Sequence, residues 1–131
     1  MKTILVDGAD CFTIEKDGKF EVFQDMYKLL EKYPNKKIIL TGANKEQRTQ
    51  FALDNLPYEL FTLEHNPEKT DPKYFEIMLK NFNLSKEDVV YFEHNLESMK
   101  GAELVGIKTY FYDNDKKDLV RLKKFLDDNL R

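Results

Sequence analysis

A short apolar run near the start of the chain is the feature that most constrains the fold. Ile4, Leu5 and Val6 are consecutive aliphatic residues, and Asp7 follows them directly. Apolar residues that do not alternate with polar ones are typical of a strand that is covered on both faces, as in a parallel sheet. Ligands of parallel α/β sheets bind beyond the carboxyl ends of the strands. Asp7 is therefore a candidate functional residue.

The rest of the chain alternates between predicted strands and predicted helices. Further strands are predicted at residues 37–40, 58–63, 89–92 and 107–112. Helices are predicted at residues 21–33, 44–56, 71–82, 95–105 and 115–130, and a small hairpin is expected around Asp17 and Gly18. Because such alternation produces right-handed β-α-β crossovers, the sequence predicts a three-layer α/β/α sandwich with a mostly parallel, five-stranded Rossmann-like sheet.

Composition limits the classes of protein that remain. The 131 residues are 41% hydrophobic, which suffices for one core, so we expect a single domain over residues 1–131. The net charge is −3 and the lysines are interleaved with acids, which argues against a nucleic-acid or membrane surface. No stretch has the length of a membrane span or the pattern of a signal peptide. The lone Cys11 excludes an internal disulfide, so we expect a cytoplasmic protein.

Polar residues follow three of the predicted strands directly. Asp7 follows the first strand, Thr41 and Gly42 follow the second, and Glu93 and His94 follow the fourth. Because the carboxyl ends of parallel strands meet at one edge of a sheet, we expect these side chains to converge. An acid and a histidine directly after a buried strand also require polar partners. The sequence therefore predicts a polar pocket at this edge.

The order of these residues resembles the four motifs of the haloacid dehalogenase (HAD) superfamily over nearly the whole chain. The first motif, Asp-x-Asp-x-Thr or Val after a strand, aligns with residues 7–11. The second, a strand that ends in Ser or Thr, aligns with Thr41. The third, a lysine ahead of a helix, aligns with Lys69, and the fourth aligns with residues 89–106. The resemblance implies a HAD-like fold.

Two of the motifs are degenerate in this chain. Ala9 stands at the second aspartate of the first motif, and Cys11 stands at the threonine. In the fourth motif, Glu93, His94 and Ser98 stand where a glycine and two aspartates are usual. Part of the family's acid–base and metal-binding chemistry is therefore missing from its usual positions.

The retained residues imply phosphoryl transfer. By resemblance, Asp7 is the nucleophile that forms an aspartyl phosphate. Thr41 and Lys69 bind the transferring oxygens, and Gly8 and Gly42 complete the implied substrate-binding residues. All of them lie at or next to the motif positions that the chain keeps.

The resemblance also implies a magnesium site. Its ligands are the Asp7 carboxylate and the main-chain carbonyl of Ala9, which the substitution leaves in place. Glu93 or Glu97 is a candidate for the missing metal oxygen, and His94 is a candidate for a base near neutral pH or for a softer metal.

Three other residues have competing interpretations. Asp10 is a candidate acid–base group if its turn is reshaped, although a turn acid that bonds its own backbone is the simpler interpretation. Cys11 is expected to be a small buried residue rather than a nucleophile. His65 is expected on a surface loop.

The intervals between the motifs are too short for a cap domain. An open pocket without a cap suits a large phosphorylated substrate, so the leading hypothesis is a magnesium-dependent HAD-like phosphohydrolase. The alternative is a catalytically inactive HAD-like binding or regulatory module, because carboxylates are missing at Ala9 and Ser98. A receiver domain of two-component signalling is less supported, since Asp7 has no acid pair on an earlier strand. The sequence leaves the oligomeric state open.

Overall fold

The fold is a parallel sheet covered by helices, as a computed structural model describes it for residues 1–131. The strands are β1 (Thr3–Asp7), β2 (Thr13–Lys16), β3 (Lys19–Val22), β4 (Lys37–Thr41), β5 (Glu59–Thr62), β6 (Val89–Glu93) and β7 (Lys108–Phe111). The helices are α1 (Gln24–Leu30), α2 (Lys45–Gln50), α3 (Pro72–Asn81), α4 (Leu96–Leu104) and α5 (Leu119–Asn129).

Strand β1 lies at the centre of the main sheet, whose order is β5-β4-β1-β6-β7 with all pairs parallel. Every residue of β1 is buried, as expected for an apolar strand with a neighbour on each side. In the register of the sheet, Asp7 pairs with Leu40 and Val6 pairs with Phe92. The carboxyl ends of β1, β4 and β6 therefore stand side by side. The predicted five-stranded parallel sheet is confirmed.

Two apolar layers separate the sheet from its helices. On one face, Ile4, Val6 and Phe92 pack with residues of α1 and α5. On the other face, Leu5, Leu40 and Tyr91 pack with residues of α3 and with Ala102 of α4. This alternation of inward faces along β1 gives the predicted three-layer α/β/α sandwich. Only the antiparallel hairpin β2–β3 and helix α1 lie between β1 and β4, so the fold has no cap domain.

Three helix boundaries differ from the predictions. Helix α1 begins at Gln24 rather than at residue 21, because residues 19–22 pair with β2. Helix α2 ends at Gln50 rather than near residue 56, and Ala52 then has a left-handed φ of 56°. Helix α5 begins at Leu119 rather than at residue 115, because the Asp113 carboxylate accepts hydrogen bonds from the two backbone N–H groups of residues 115 and 116. These side-chain hydrogen bonds form a turn at residues 113–116 in place of the first turn of the predicted helix.

Capping side chains stand at the predicted starts of three helices. Asn44 and Gln47 form a reciprocal capping box at α2, and Asp71 caps α3 ahead of Pro72. Asn95 caps α4 through two backbone N–H groups. No helix is long and apolar enough to cross a membrane.

Candidate active site

The carboxyl ends of the three central strands open into a cavity of about 330 Å³. Asp7 reaches it from β1, Thr41 from β4 and Glu93 from β6. Loops supply most of the remaining lining residues, which are Ala9, Asp10, Gly42, Ala43, Gln47, Phe51, His65, Lys69, His94, Asn95 and Ser98. Every residue named as a candidate from the sequence lines this cavity except Gly8, Cys11 and Glu97.

Asp7 is the centre of the hydrogen-bond network in this cavity. Its side chain is almost fully buried, and its Oδ1 accepts a hydrogen bond of 2.7 Å from the ammonium of Lys69. Its Oδ2 accepts from the Cys11 thiol at 3.2 Å and from the backbone N–H of His94 at 3.3 Å. The same oxygen is in contact with the imidazole Nδ1 of His94. Both carboxylate oxygens are therefore held in fixed positions.

The surroundings of Asp7 keep it ionised. Burial alone would raise the pKa of Asp7, but the positive charge of Lys69 and the hydrogen bonds from its neighbours outweigh burial and hold the pKa well below its usual range. The pKa of Lys69 is likewise lowered by burial and raised more strongly by the charges of Asp7 and Glu93. The pair is a carboxylate and an ammonium at all physiological pH values.

Glu93 is the last residue of β6, and its side chain turns into the site rather than into solvent. It is 1% exposed, and Oε1 accepts hydrogen bonds from the Tyr91 hydroxyl and from Lys69 Nζ, the latter at 2.7 Å. Its Oε2 accepts from the backbone N–H of Asn95 at 3.0 Å and lies 3.3 Å from His94 Nδ1. Burial and the charge of Asp7 raise the pKa of Glu93. Both of its oxygens are already satisfied within the protein.

His94 connects the buried acids with the loop after β1. Its Nδ1 faces Asp7 and Glu93, and its Nε2 lies 3.7 Å from Oδ2 of Asp10. Burial lowers the pKa of His94, but the hydrogen bonds and charges of Asp7 and Glu93 raise it to about 10. The ring is therefore an imidazolium at neutral pH, which favours proton donation over action as a base. Two cations, His94 and Lys69, balance the two buried carboxylates.

The loop between β1 and β2 is shaped by hydrogen bonds to Gly8. The carbonyl oxygen of Gly8 accepts from the N–H groups of residues 11, 12 and 13, which curls the loop tightly. Asp10 has a left-handed φ of 70°, and its side chain is about half exposed at the cavity wall. The carbonyl of Ala9 takes no part in this hydrogen bonding. Gly8 itself does not line the cavity, because it faces Ile39 and Leu40 of β4.

Thr41, Gly42 and Lys69 form the opposite wall. The Thr41 hydroxyl oxygen accepts a hydrogen bond of 3.2 Å from the backbone N–H of Ala43, so its own proton is available to a ligand. A side chain at Gly42 would lie 3.4 Å from the ring of His65 and 3.6 Å from Cβ of Lys69. A glycine at this position thus leaves room between the two walls.

Two residues that contact the site were not identified as functional from the sequence. His65 reaches the cavity from a loop, where its ring nitrogens contact Gln47 at 2.6 Å and Glu68 at 2.9 Å. It is exposed, as predicted for a surface residue, but it also lines the pocket. The sequence around Tyr91 indicates only a core residue of a strand, but its hydroxyl donates a hydrogen bond to Glu93. Neither residue lies at a recognised motif position, so only the folded arrangement reveals their contacts.

Comparisons with known proteins give matches in structure but not in sequence. No family model matches the chain, and no curated protein matches its sequence. A HAD family enzyme from Bacteroides thetaiotaomicron, an aspartate-to-alanine mutant in complex with magnesium and inorganic phosphate, superimposes with a TM-score of 0.67. Its identity to this chain is 10%, over 85% of this chain and 93% of that one.

Two further structures are similar over nearly their full lengths. The D,D-heptose 1,7-bisphosphate phosphatase of B. bronchiseptica, complexed with magnesium and phosphate, has a TM-score of 0.64 at 13% identity and covers 92% of this chain and 87% of its own. A HAD-superfamily hydrolase from Ehrlichia chaffeensis has a TM-score of 0.62 at 12% identity, with 95% and 99% covered. Together with the parallel sheet and the absence of a cap, these matches establish that the chain has a haloacid dehalogenase-like fold.

Proposed function

We propose that the protein is a magnesium-dependent phosphohydrolase in which Asp7 accepts the phosphoryl group. The observation that carries the proposal is the state of Asp7: a buried, ionised carboxylate at the end of the central strand, held between Lys69 and His94 at the floor of an open cavity. Nucleophilic catalysis requires such a positioned anion. The same chemistry is supported by the fold shared with a HAD family enzyme and a phosphatase that are both complexed with magnesium and phosphate.

Some donor atoms of the cavity fit a magnesium ion. Magnesium prefers oxygen ligands and retains several water molecules, and Asp7 and the free carbonyl of Ala9 both offer oxygen. Glu93 would complete the set if it exchanged a present partner for the ion. The cation would neutralise charge on the transferring phosphoryl group. The Bacteroides enzyme holds magnesium and phosphate with an aspartate replaced by alanine, so one lost aspartate does not prevent such binding in this fold.

Thr41 and Lys69 are assigned to the phosphoryl oxygens. The free hydroxyl proton of Thr41 and the ammonium of Lys69 both face the cavity that Asp7 closes at its base. Positioned donors of this kind stabilise the charge of the transferring group without forming a bond to it. Because no cap covers the cavity, we propose that the substrate is a large phosphorylated molecule.

His94 is assigned to proton transfer, in place of the missing acid at Ala9. In the first step an oxygen of Asp7 forms a bond to phosphorus, the ester bond breaks, and the leaving oxygen takes a proton from the His94 imidazolium. In the second step a water attacks phosphorus, its proton returns to His94, and Asp7 is released with inorganic phosphate. Imidazole is a poor magnesium ligand, and the contacts of Nδ1 with Asp7 and Glu93 orient the ring, with Asp10 Oδ2 3.7 Å from Nε2.

The proposal is tested by phosphate release from p-nitrophenyl phosphate and a panel of larger phosphoesters in magnesium buffer. Asp7→Asn should abolish turnover, whereas Asp128→Asn, an exposed acid paired with Lys124 on α5, should leave it unchanged. Absence of turnover on every substrate, or equal turnover in Asp7→Asn, would contradict the proposal.

A binding or regulatory module is the second candidate. It is favoured by the charge balance of the site, since Lys69 and His94 neutralise Asp7 and Glu93 without any metal. Beryllium fluoride with magnesium, a mimic of phosphate on aspartate, separates the two candidates. A competent Asp7 should bind it, and the melting temperature should then rise with the logarithm of ligand concentration above the Kd. No shift in the wild type would favour the module.

A further inference from the structure

A second set of donor atoms surrounds Asp7, and it contains sulfur and nitrogen. The Cys11 thiol lies 3.2 Å from Asp7 Oδ2 and 3.9 Å from His94 Nδ1. His94 Nδ1 is also in contact with Asp7 Oδ2. The three side chains thus offer one ligand atom each within 4.8 Å of one another. We propose that they form a zinc site, at which Zn²⁺ replaces the protons now shared among them.

Two of the three distances among these atoms suit tetrahedral zinc. Bonds of about 2.0 Å to nitrogen and oxygen and about 2.3 Å to sulfur place the ligand atoms roughly 3.3–3.6 Å apart. The sulfur–oxygen distance of 3.2 Å and the sulfur–nitrogen distance of 3.9 Å lie within a few tenths of an ångström of that range. His94 Nδ1 and Asp7 Oδ2 are in closer contact than two ligands of one zinc ion would be. Rotation of the His94 or Asp7 side chain would therefore be needed to make room for the ion.

The surroundings of His94 provide support beyond the three ligands. Histidine ligands of metals almost always have their second ring nitrogen held by a carboxylate, a carbonyl or water. Here Nδ1 faces the proposed ion and Nε2 lies 3.7 Å from Oδ2 of Asp10. Glu93 Oε2, 3.3 Å from Nδ1, or a water from the cavity is available for the fourth position. A separation of 3.7 Å is longer than a hydrogen bond, so Asp10 would complete a carboxylate–histidine–zinc unit by moving closer to Nε2.

The donor chemistry selects against magnesium at this set of ligands. Thiolate and imidazole favour zinc and related transition ions, whereas magnesium favours oxygen. Cys11 is fully buried, and His94 is the more exposed member, so the ion would enter from the cavity side. Binding displaces the thiol proton, because a coordinating thiol is deprotonated by the metal.

Zinc and the phosphohydrolase reaction would exclude each other. Zinc would occupy Asp7 Oδ2 and remove the proton from His94, which are the two groups assigned to attack and to proton transfer. The ion would therefore act as a reversible inhibitor of the enzyme. This consequence rests on the proposed function, whereas zinc binding itself does not.

Cobalt(II) is the spectroscopic probe for the site. Wild-type protein titrated with Co²⁺ should show the intense visible bands of a tetrahedral ion and a sulfur-to-metal charge-transfer band, and equimolar Zn²⁺ should abolish both. Cys11→Ser should lose the charge-transfer band, and Asp10→Asn should keep it while weakening binding by roughly 10–100-fold. His65→Gln is the control, since this histidine contacts Gln47 and Glu68 instead of Asp7.

A measurement on the wild type alone guards against misfolded variants. X-ray absorption of the zinc-loaded protein should show one sulfur neighbour at about 2.3 Å, and a shell of oxygen and nitrogen only would overturn the proposal. A charge-transfer band that persists in folded Cys11→Ser would overturn it as well. These spectra do not depend on turnover, so a zinc site in a protein without phosphatase activity would refute the proposed function and leave the zinc site standing.

Discussion

The two walls of the cavity follow different rules. On the β4 side, Thr41, Gly42 and Lys69 agree with the HAD motifs in type, order and place. On the β6 side, Ala9, Cys11, Glu93, His94 and Ser98 all depart from them. The first wall carries the donors that the proposed function assigns to a phosphate, and on the second wall the single imidazole of His94 contacts both buried acids, Asp7 and Glu93. In the proposed function, phosphate recognition would therefore rest on residues that match the motifs, whereas metal binding and proton transfer would rest largely on residues that depart from them.

Lys69 lies on the β4 side but bonds both buried acids, Asp7 and Glu93. Its replacement should therefore have the largest effect. Lys69→Met leaves Asp7 and Glu93 as neighbouring buried acids with one cation fewer, and breaking a buried pair by removing one partner costs about 3–5 kcal/mol. Urea denaturation should show that loss of unfolding free energy, and phosphate release should fall to background. Lys73→Met, on the exposed first turn of α3, is the matched control and should change neither. Wild-type stability in Lys69→Met would show that the acids are not paired through it.

His94→Gln tests the β6 side of the cavity alone. Glutamine retains a hydrogen-bond donor towards Asp7 but cannot deliver a proton, and general acid–base catalysis contributes roughly 10²–10⁴ in rate. We expect kcat for esters with poor leaving groups to fall by that factor. Esters with good leaving groups should be affected less, because they need no protonation. His65→Gln makes the same change on the other side of the cavity and should leave kcat near that of the wild type. An equal loss for all leaving groups would exclude His94 as the acid.

Ala9→Asp would restore the second aspartate of the first HAD motif. Ala9 lines the cavity beside Asp10 and His94, so a carboxylate there can reach the leaving group. We expect turnover to rise by no more than about 10²-fold, which is the low end of the range for general acid–base catalysis. Ala52→Asp, another alanine replacement on a loop outside the cavity, provides the comparison in activity. A decrease in Ala9→Asp would show that the site as it stands excludes a third carboxylate.

The fold could be predicted from sequence because its signals are local. The apolar run before Asp7 and the caps at Asn44 and Asp71 each depend on neighbours within a few positions. The end of α2 was missed because Phe51 and Ala52 continue the helical apolar spacing, although the chain reverses at Ala52.

The site could be predicted only as a set of residues that meet. Strand ends converge by topology, so Asp7, Thr41 and Glu93 were expected together, and the cavity contains all three. Which of these side chains pair with one another depends on the detailed positions of residues that lie far apart in the chain. Lys69 bonds two acids at once, and Glu93 turns inward to Tyr91 and Asn95. No pattern along the sequence predicts these side-chain contacts.

The smallest expected effect concerns pH and stability without divalent ions. Burial lowers the pKa of His94, but the hydrogen bonds and charges of Asp7 and Glu93 raise it in the folded protein to about 10, against 6.5 as its ordinary value. A raised folded-state pKa adds stability that is complete below pH 6.5 and is lost as the pH rises through 10. In EDTA, the unfolding free energy of the wild type should therefore fall between pH 7 and pH 10 more steeply than that of His94→Gln. Parallel curves would show that the imidazolium contributes nothing, and the balance of charge on the β6 side would have to come from Lys69 alone.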